Sequence, residues 1–73
     1  MGIRVSLNSK RFEIELAKRN FSQNGFAKSI GMSGGYLSQV VNHTRYPSPK
    51  TRQRIQDALG LQFDDLFIIK KGE

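Results

Sequence analysis

Four positions near the middle of the chain, Gly35, Ser38, Gln39 and Asn42, follow the spacing i, i+3, i+4, i+7, and all are small or polar. At about 100° per residue they share one face of a helix, and Leu37, Val40 and Val41 fall on the other. A soluble helix normally carries some Lys or Glu on its solvent face, yet no charge occurs from Ser33 to Asn42. Two readings are open. The face is ordinary solvated surface, or its amides and hydroxyls meet the donor and acceptor pattern that base edges display in the major groove.

The elements around this face must then hold it out. Ser22 can accept a hydrogen bond from a free amide of a first helical turn, and Phe26, Ala27 and Ile30 lie on one side of the helix it would start. Gly31 ends that helix, because glycine takes the positive φ of a helix C-terminus without a Cβ clash. Ser33 caps the next one, and Leu37, Val40 and Val41 form its inner face. Both serines have a purely structural reading as caps.

Seventy-three residues are enough for one small domain, expected to span residues 1–73, near the lower size at which a single apolar core suffices. With no cysteine there is neither a disulfide framework nor a thiolate site, and His43 alone cannot build a metal centre. The longest apolar runs are a few residues, so the chain reads as cytoplasmic with no membrane span. Twelve Lys and Arg against six acids give +6, with a pI near 10.2. A field of that sign on so small a domain points to a polyanion, since phosphate neutralisation with counterion release supplies most non-specific affinity for nucleic acid.

In chain order, Met1 to Leu7 alternates Ile3, Val5 and Leu7 with Arg4 and Ser6, the period of a strand. Leu66 to Ile69 is its natural partner, giving an expected antiparallel ribbon that joins the two ends; a basic N-terminal arm along DNA is the alternative. Asn8 or Ser9 caps a first helix running to about Asn20 with Phe12 and Leu16 inward, and Ile14 is left either covering the strands or exposed. Phe21 stands where a hydrophobic staple would pack on the following helix. Ser48 and Pro49 start a fourth helix with Thr51, Ile55, Ala58 and Leu59 as its apolar stripe and Gly60 at its end. A short fifth helix is expected from Phe63 to Phe67, with Asp64 and Asp65 complementing its dipole rather than forming a carboxylate site.

Taken together, Leu16 to Gln23, Phe26-Ala27, Ile30 to Ser33, Tyr36 to Val40, Pro49, Ala58 to Leu61 and Asp64 to Phe67 resemble the Cro/C1-type (XRE) helix-turn-helix family of phage and bacterial regulators. The resemblance implies an all-α, five-helix, lambda-repressor-like domain that binds double-stranded DNA as a transcriptional regulator, repressor-like, and in many cases as a homodimer. By position it implies phosphate contact at Ser22, Gln23, Arg45, Lys50 and Thr51, and base contact at Ser33, Gly34, Gly35, Ser38, Gln39 and Asn42. Tyr36, at the flank of the third helix, can pack its ring on the core and offer its hydroxyl to a phosphate.

Two departures from the family stand out. Gly34 and Gly35 occupy positions where longer polar side chains are common, which costs about 1 kcal/mol of helix propensity per glycine and leaves direct readout to Ser38, Gln39 and Asn42. His43 replaces a common glycine after the helix and is open to two roles, closing the helix end or touching phosphate when protonated. No acid, base and nucleophile converge in the pattern, so an enzyme is not expected, and neither is a cofactor or a small-molecule substrate. The rival reading is a protein-interaction adaptor, or the antitoxin of a toxin-antitoxin pair, on the same fold.

Overall fold

A computed structural model describes residues 2–71, so the expected strand start at Met1 lies outside the described residues. The order is β1 (Ile3–Leu7), α1 (Ser9–Lys18), α2 (Gln23–Ser29), α3 (Gly34–Val41), α4 (Pro49–Leu59), α5 (Phe63–Leu66) and β2 (Phe67–Lys71). The two strands pair antiparallel, from Ile3↔Lys71 to Leu7↔Phe67. The N-terminal segment is thus a strand rather than a free arm. Leu7 and Phe67 close the inner end of the ribbon in the core, whereas Ile3 at its outer end and Ile69 at its middle rung are exposed. The alternation expected over Ile3, Val5 and Leu7 therefore becomes a gradient, because the ribbon runs outward from the helices.

Caps fix the helix starts as local chemistry requires. The side chains of Asn8, Ser22, Ser33 and Ser48 accept from the amides of Arg11, Gly25, Tyr36 and Thr51 at 3.1, 2.9, 3.1 and 3.2 Å. Gly31 and Gly60 end α2 and α4 with φ of 72° and 67°. Phe21 meets Phe26 edge-on at 5.5 Å, the contact of a residue just before the cap with one in the next turn.

Three expectations need correction, and one left open is settled. The first helix stops at Lys18 instead of Asn20, because Asn20 takes a left-handed φ of 61° that turns the chain toward α2. Phe67 does not end the fifth helix; its extended backbone begins β2, since pairing with Leu7 buries its ring. Ala58 is exposed, so the inner stripe of α4 is Thr51, Ile55 and Leu59. Ile14, left open between two positions, is exposed.

The core joins all five helices and the inner end of the ribbon through Phe12, Leu16, Phe26, Leu37, Ile55 and Leu66, with Phe12 and Phe26 in an edge-to-face pair at 5.5 Å. Beside it lies a charge cluster. Glu15 is buried and receives Arg11 Nε at 2.8 Å and Arg19 Nη1 at 2.5 Å, with Lys18 Nζ at 3.7 Å. Arg19 Nη2 also donates to the Leu59 carbonyl at 2.8 Å, tying α1 to the last turn of α4.

Candidate nucleic-acid interface

Leu37, Val40 and Val41 are buried, which turns the opposite side of α3 outward. Gly35, Gln39 and Asn42 are exposed on that side and Ser38 is half-buried; the Asn42 amide lies 3.4 Å from the Ser38 hydroxyl. The structure brings these four together as their spacing requires. Gly34 differs. A Cβ there would run into the side-chain oxygen of Asn24 on α2, so the close approach that Gly34 permits is between α2 and α3 within the protein. At Gly35 a Cβ would meet nothing within 4 Å.

That difference gives a stability prediction. Gly35→Ala adds a methyl into open space at a helical position and reduces the freedom of the unfolded chain, a gain of about 0.5–1 kcal/mol, or about 2–8 °C in melting temperature for a domain of this size. Thermal unfolding followed by circular dichroism checks it; an unchanged or lower midpoint would mean that the position is not open.

The segment after α3 folds back on it. The Gln39 carbonyl accepts from the Thr44 amide at 2.9 Å and the Arg45 amide at 3.3 Å, and Arg45 Nε donates to the Gln39 side-chain oxygen at 2.8 Å. The Arg45 guanidinium also lies over the Tyr36 ring, 5.7 Å from its centroid. Tyr36 is fixed in turn. Its hydroxyl lies 3.2 Å from the Thr51 hydroxyl and accepts from the Ser48 amide at 3.4 Å. Burial raises the pKa of the Tyr36 hydroxyl, but hydrogen bonds with Thr51 and Ser48 and the Arg45 charge outweigh it and leave it below its ordinary value.

Thr51 is buried, and its hydroxyl is shared between Tyr36 and Ser48, so it anchors α4 to α3. Lys50, one residue earlier, is exposed beside it, and so is Ser22 at the start of α2, with Gln23 half-buried. Ser33 is exposed, its hydroxyl holding the Tyr36 amide. His43 closes the end of α3. Its φ is 64°, its amide bonds the Val40 carbonyl at 3.2 Å, and ring Nε2 donates to the Leu7 carbonyl at 2.9 Å. Ser9 completes that joint by donating to the Val41 carbonyl at 2.6 Å. Of the two roles open for His43, the geometry is that of the helix end, with the ring turned toward the ribbon.

The clasp of Arg45 on Gln39 and the Tyr36–Thr51 link carry no signal in the sequence pattern, because each crosses the turn where helical period stops. A helix-turn-helix family model matches residues 13–66, from within α1 to the end of α5. The chain belongs to the Cro/C1-type helix-turn-helix family. Membership makes it a DNA-binding domain of the transcription-regulator kind, whose partner is double-stranded DNA. No curated protein and no solved structure matches the chain. Among the described residues no helix is long and apolar enough to cross a membrane.

Proposed function

We propose that this helix-turn-helix chain is a cytoplasmic, repressor-like regulator that reads specific duplex sequences by laying α3 in the major groove. The observation that carries the reading is the uncharged outer face of α3, where Gln39 and Asn42 stand exposed and Ser38 beside them, with the Arg45 cation against Gln39. Phosphates are met by Ser22 and Gln23 at the start of α2 and by Arg45 and Lys50 on the far side, while Tyr36 and Thr51 serve by holding that side in place. Gly34 and Ser33 act through the geometry of the turn rather than by touching bases. The chain serves as a single binding domain. Its work is binding, not catalysis.

One α3 covers too few base pairs for useful specificity, so a homodimer on an inverted repeat is the expected assembly. Exposed Ile14, Ile68 and Ile69 offer apolar surface for it, whereas Phe67 is buried in the core.

Duplex titration across salt tests the reading. Affinity is expected to fall steeply as salt rises, with Lys50→Ala weakening every sequence alike and reducing the salt slope by about one, and Gln39→Ala relaxing preference at particular base pairs. Absence of duplex binding at low salt overturns the proposal in favour of an adaptor or antitoxin. A uniform loss in Gln39→Ala with preference intact removes Gln39 from base readout.

A further inference from the structure

From the contact between Arg45 and Gln39 we infer that the base read by Gln39 is a guanine, and that Arg45 is the residue that selects it. The inference rests on the DNA-binding reading above. A glutamine amide offers both an acceptor and a donor, and with both free its favoured partner is adenine, which gives a donor at N6 and takes one at N7. Here the two halves of the amide are not equivalent. The oxygen already accepts from Arg45 Nε at 2.8 Å, which leaves the NH2 group as the half without a partner among the described contacts.

Charge acts in the same direction as geometry. An adenine N6 amino group brought to the Gln39 oxygen would place a second donor beside the Arg45 cation, and the two donors repel. Guanine presents O6 and N7, two adjacent acceptors, to the NH2 hydrogens, and its O6 is attracted by the same cation. Thymine offers one acceptor, O4, and answers only half of the arrangement.

The arrangement is held from behind. Arg45 is stacked over Tyr36, Tyr36 is bonded to Thr51 and the Ser48 amide, and the Gln39 carbonyl takes the Thr44 and Arg45 amides. Arg45 is in this sense a positioning residue, acting on the base through Gln39. Its terminal nitrogens stay available to a phosphate, so its removal changes affinity and preference separately.

Selection of bound duplexes from a randomised pool, with the full chain and with Gln39→Ala, Arg45→Ala and Gln39→Glu, provides the test. The position that loses its preference in Gln39→Ala is expected to be guanine in the parent. Arg45→Ala, besides binding all sequences more weakly, is expected to move that position toward adenine by about fivefold or more in the guanine-to-adenine ratio, the span of one side chain–base pair. Gln39→Glu replaces the free NH2 with an acceptor and is expected to turn the preference to cytosine, whose N4 donates. Adenine at this position in the parent overturns the inference, as does a guanine preference unchanged in Arg45→Ala. A parent that enriches no sequence overturns the DNA-binding reading itself, and the inference with it.

Discussion

Between pH 4.5 and about 2 the domain is expected to lose a component of its stability that Glu15→Gln removes at every pH. The Glu15 carboxyl is held down to about 2 from its ordinary 4.5, first by the hydrogen bond from Arg19 and then by that from Arg11, with the charges of Lys18 and Arg11 adding and burial opposing. Its value is lowered by folding, so its contribution is complete above the unfolded value near 4.5. It is lost as the pH falls through that value toward about 2. The three cations do not weigh equally. Lys18 is two-thirds exposed at 3.7 Å, a geometry worth little, whereas Arg19 bridges Glu15 to the Leu59 carbonyl and so couples two helices. At neutral pH Glu15→Gln removes the anion while Arg11 and Arg19 stay in place, and the variant is expected to melt well below the parent. Thermal unfolding of both chains over pH 7 to 2 should give curves that are apart at neutral pH and converge in acid. Equal midpoints at pH 7 would show that the cluster contributes nothing to folding, and curves that stay apart in parallel down to pH 2 would show that the loss is not that of the ionised carboxylate.

That cluster also shows where sequence reasoning stops. Arg11 and Arg19 each stand four residues from Glu15, a spacing legible as a pair of helix ion pairs. Its burial was not legible, because what covers Glu15 is long side chains that lie back over it, one of them anchored on the end of α4. The helix faces and their caps were readable, since Ser22, Ser33 and Ser48 act on amides three residues ahead and Leu37, Val40 and Val41 need only helical period. The ribbon was readable from β-branched residues at the two ends, though not the point where Phe67 leaves the helix, which its partner Leu7 decides from sixty residues away. In the interface the outer face of α3 was likewise set by period. The contacts that make it a particular surface, Arg45 on Gln39 and Asn24 against Gly34, cross turns or helices and depend on packing that no local pattern encodes.

Phe26→Ala is expected to be the most destabilising single truncation in the core of the helix-turn-helix. The ring is almost fully buried and stands edge-on to two others, Phe12 on α1 and Phe21 before α2, each at 5.5 Å. Its removal costs transfer free energy and leaves a cavity against Phe12 on α1 and Phe21 before α2, together about 3–5 kcal/mol. A chain of this length has on the order of 4–11 kcal/mol in all, so the variant is expected to lie near its folding midpoint at physiological temperature. Phe21→Ala provides the contrast. That ring is 40% exposed and lies at the edge of the same cluster, so its loss is expected to cost only about 1 kcal/mol. Denaturant midpoints of the two variants and of the double variant separate the terms. Because the rings touch, Phe21→Ala should cost less in the Phe26→Ala background than in the parent, by the edge-on energy of about 0.5–1.5 kcal/mol. Additive losses would mean that Phe21 packs elsewhere and that α2 is not stapled at its start. The folded Phe21→Ala chain then carries the functional consequence: with the entry to α2 loosened, the phosphate contacts proposed for Ser22 and Gln23 should weaken for every duplex alike, while the preference set by Gln39 stays where it was.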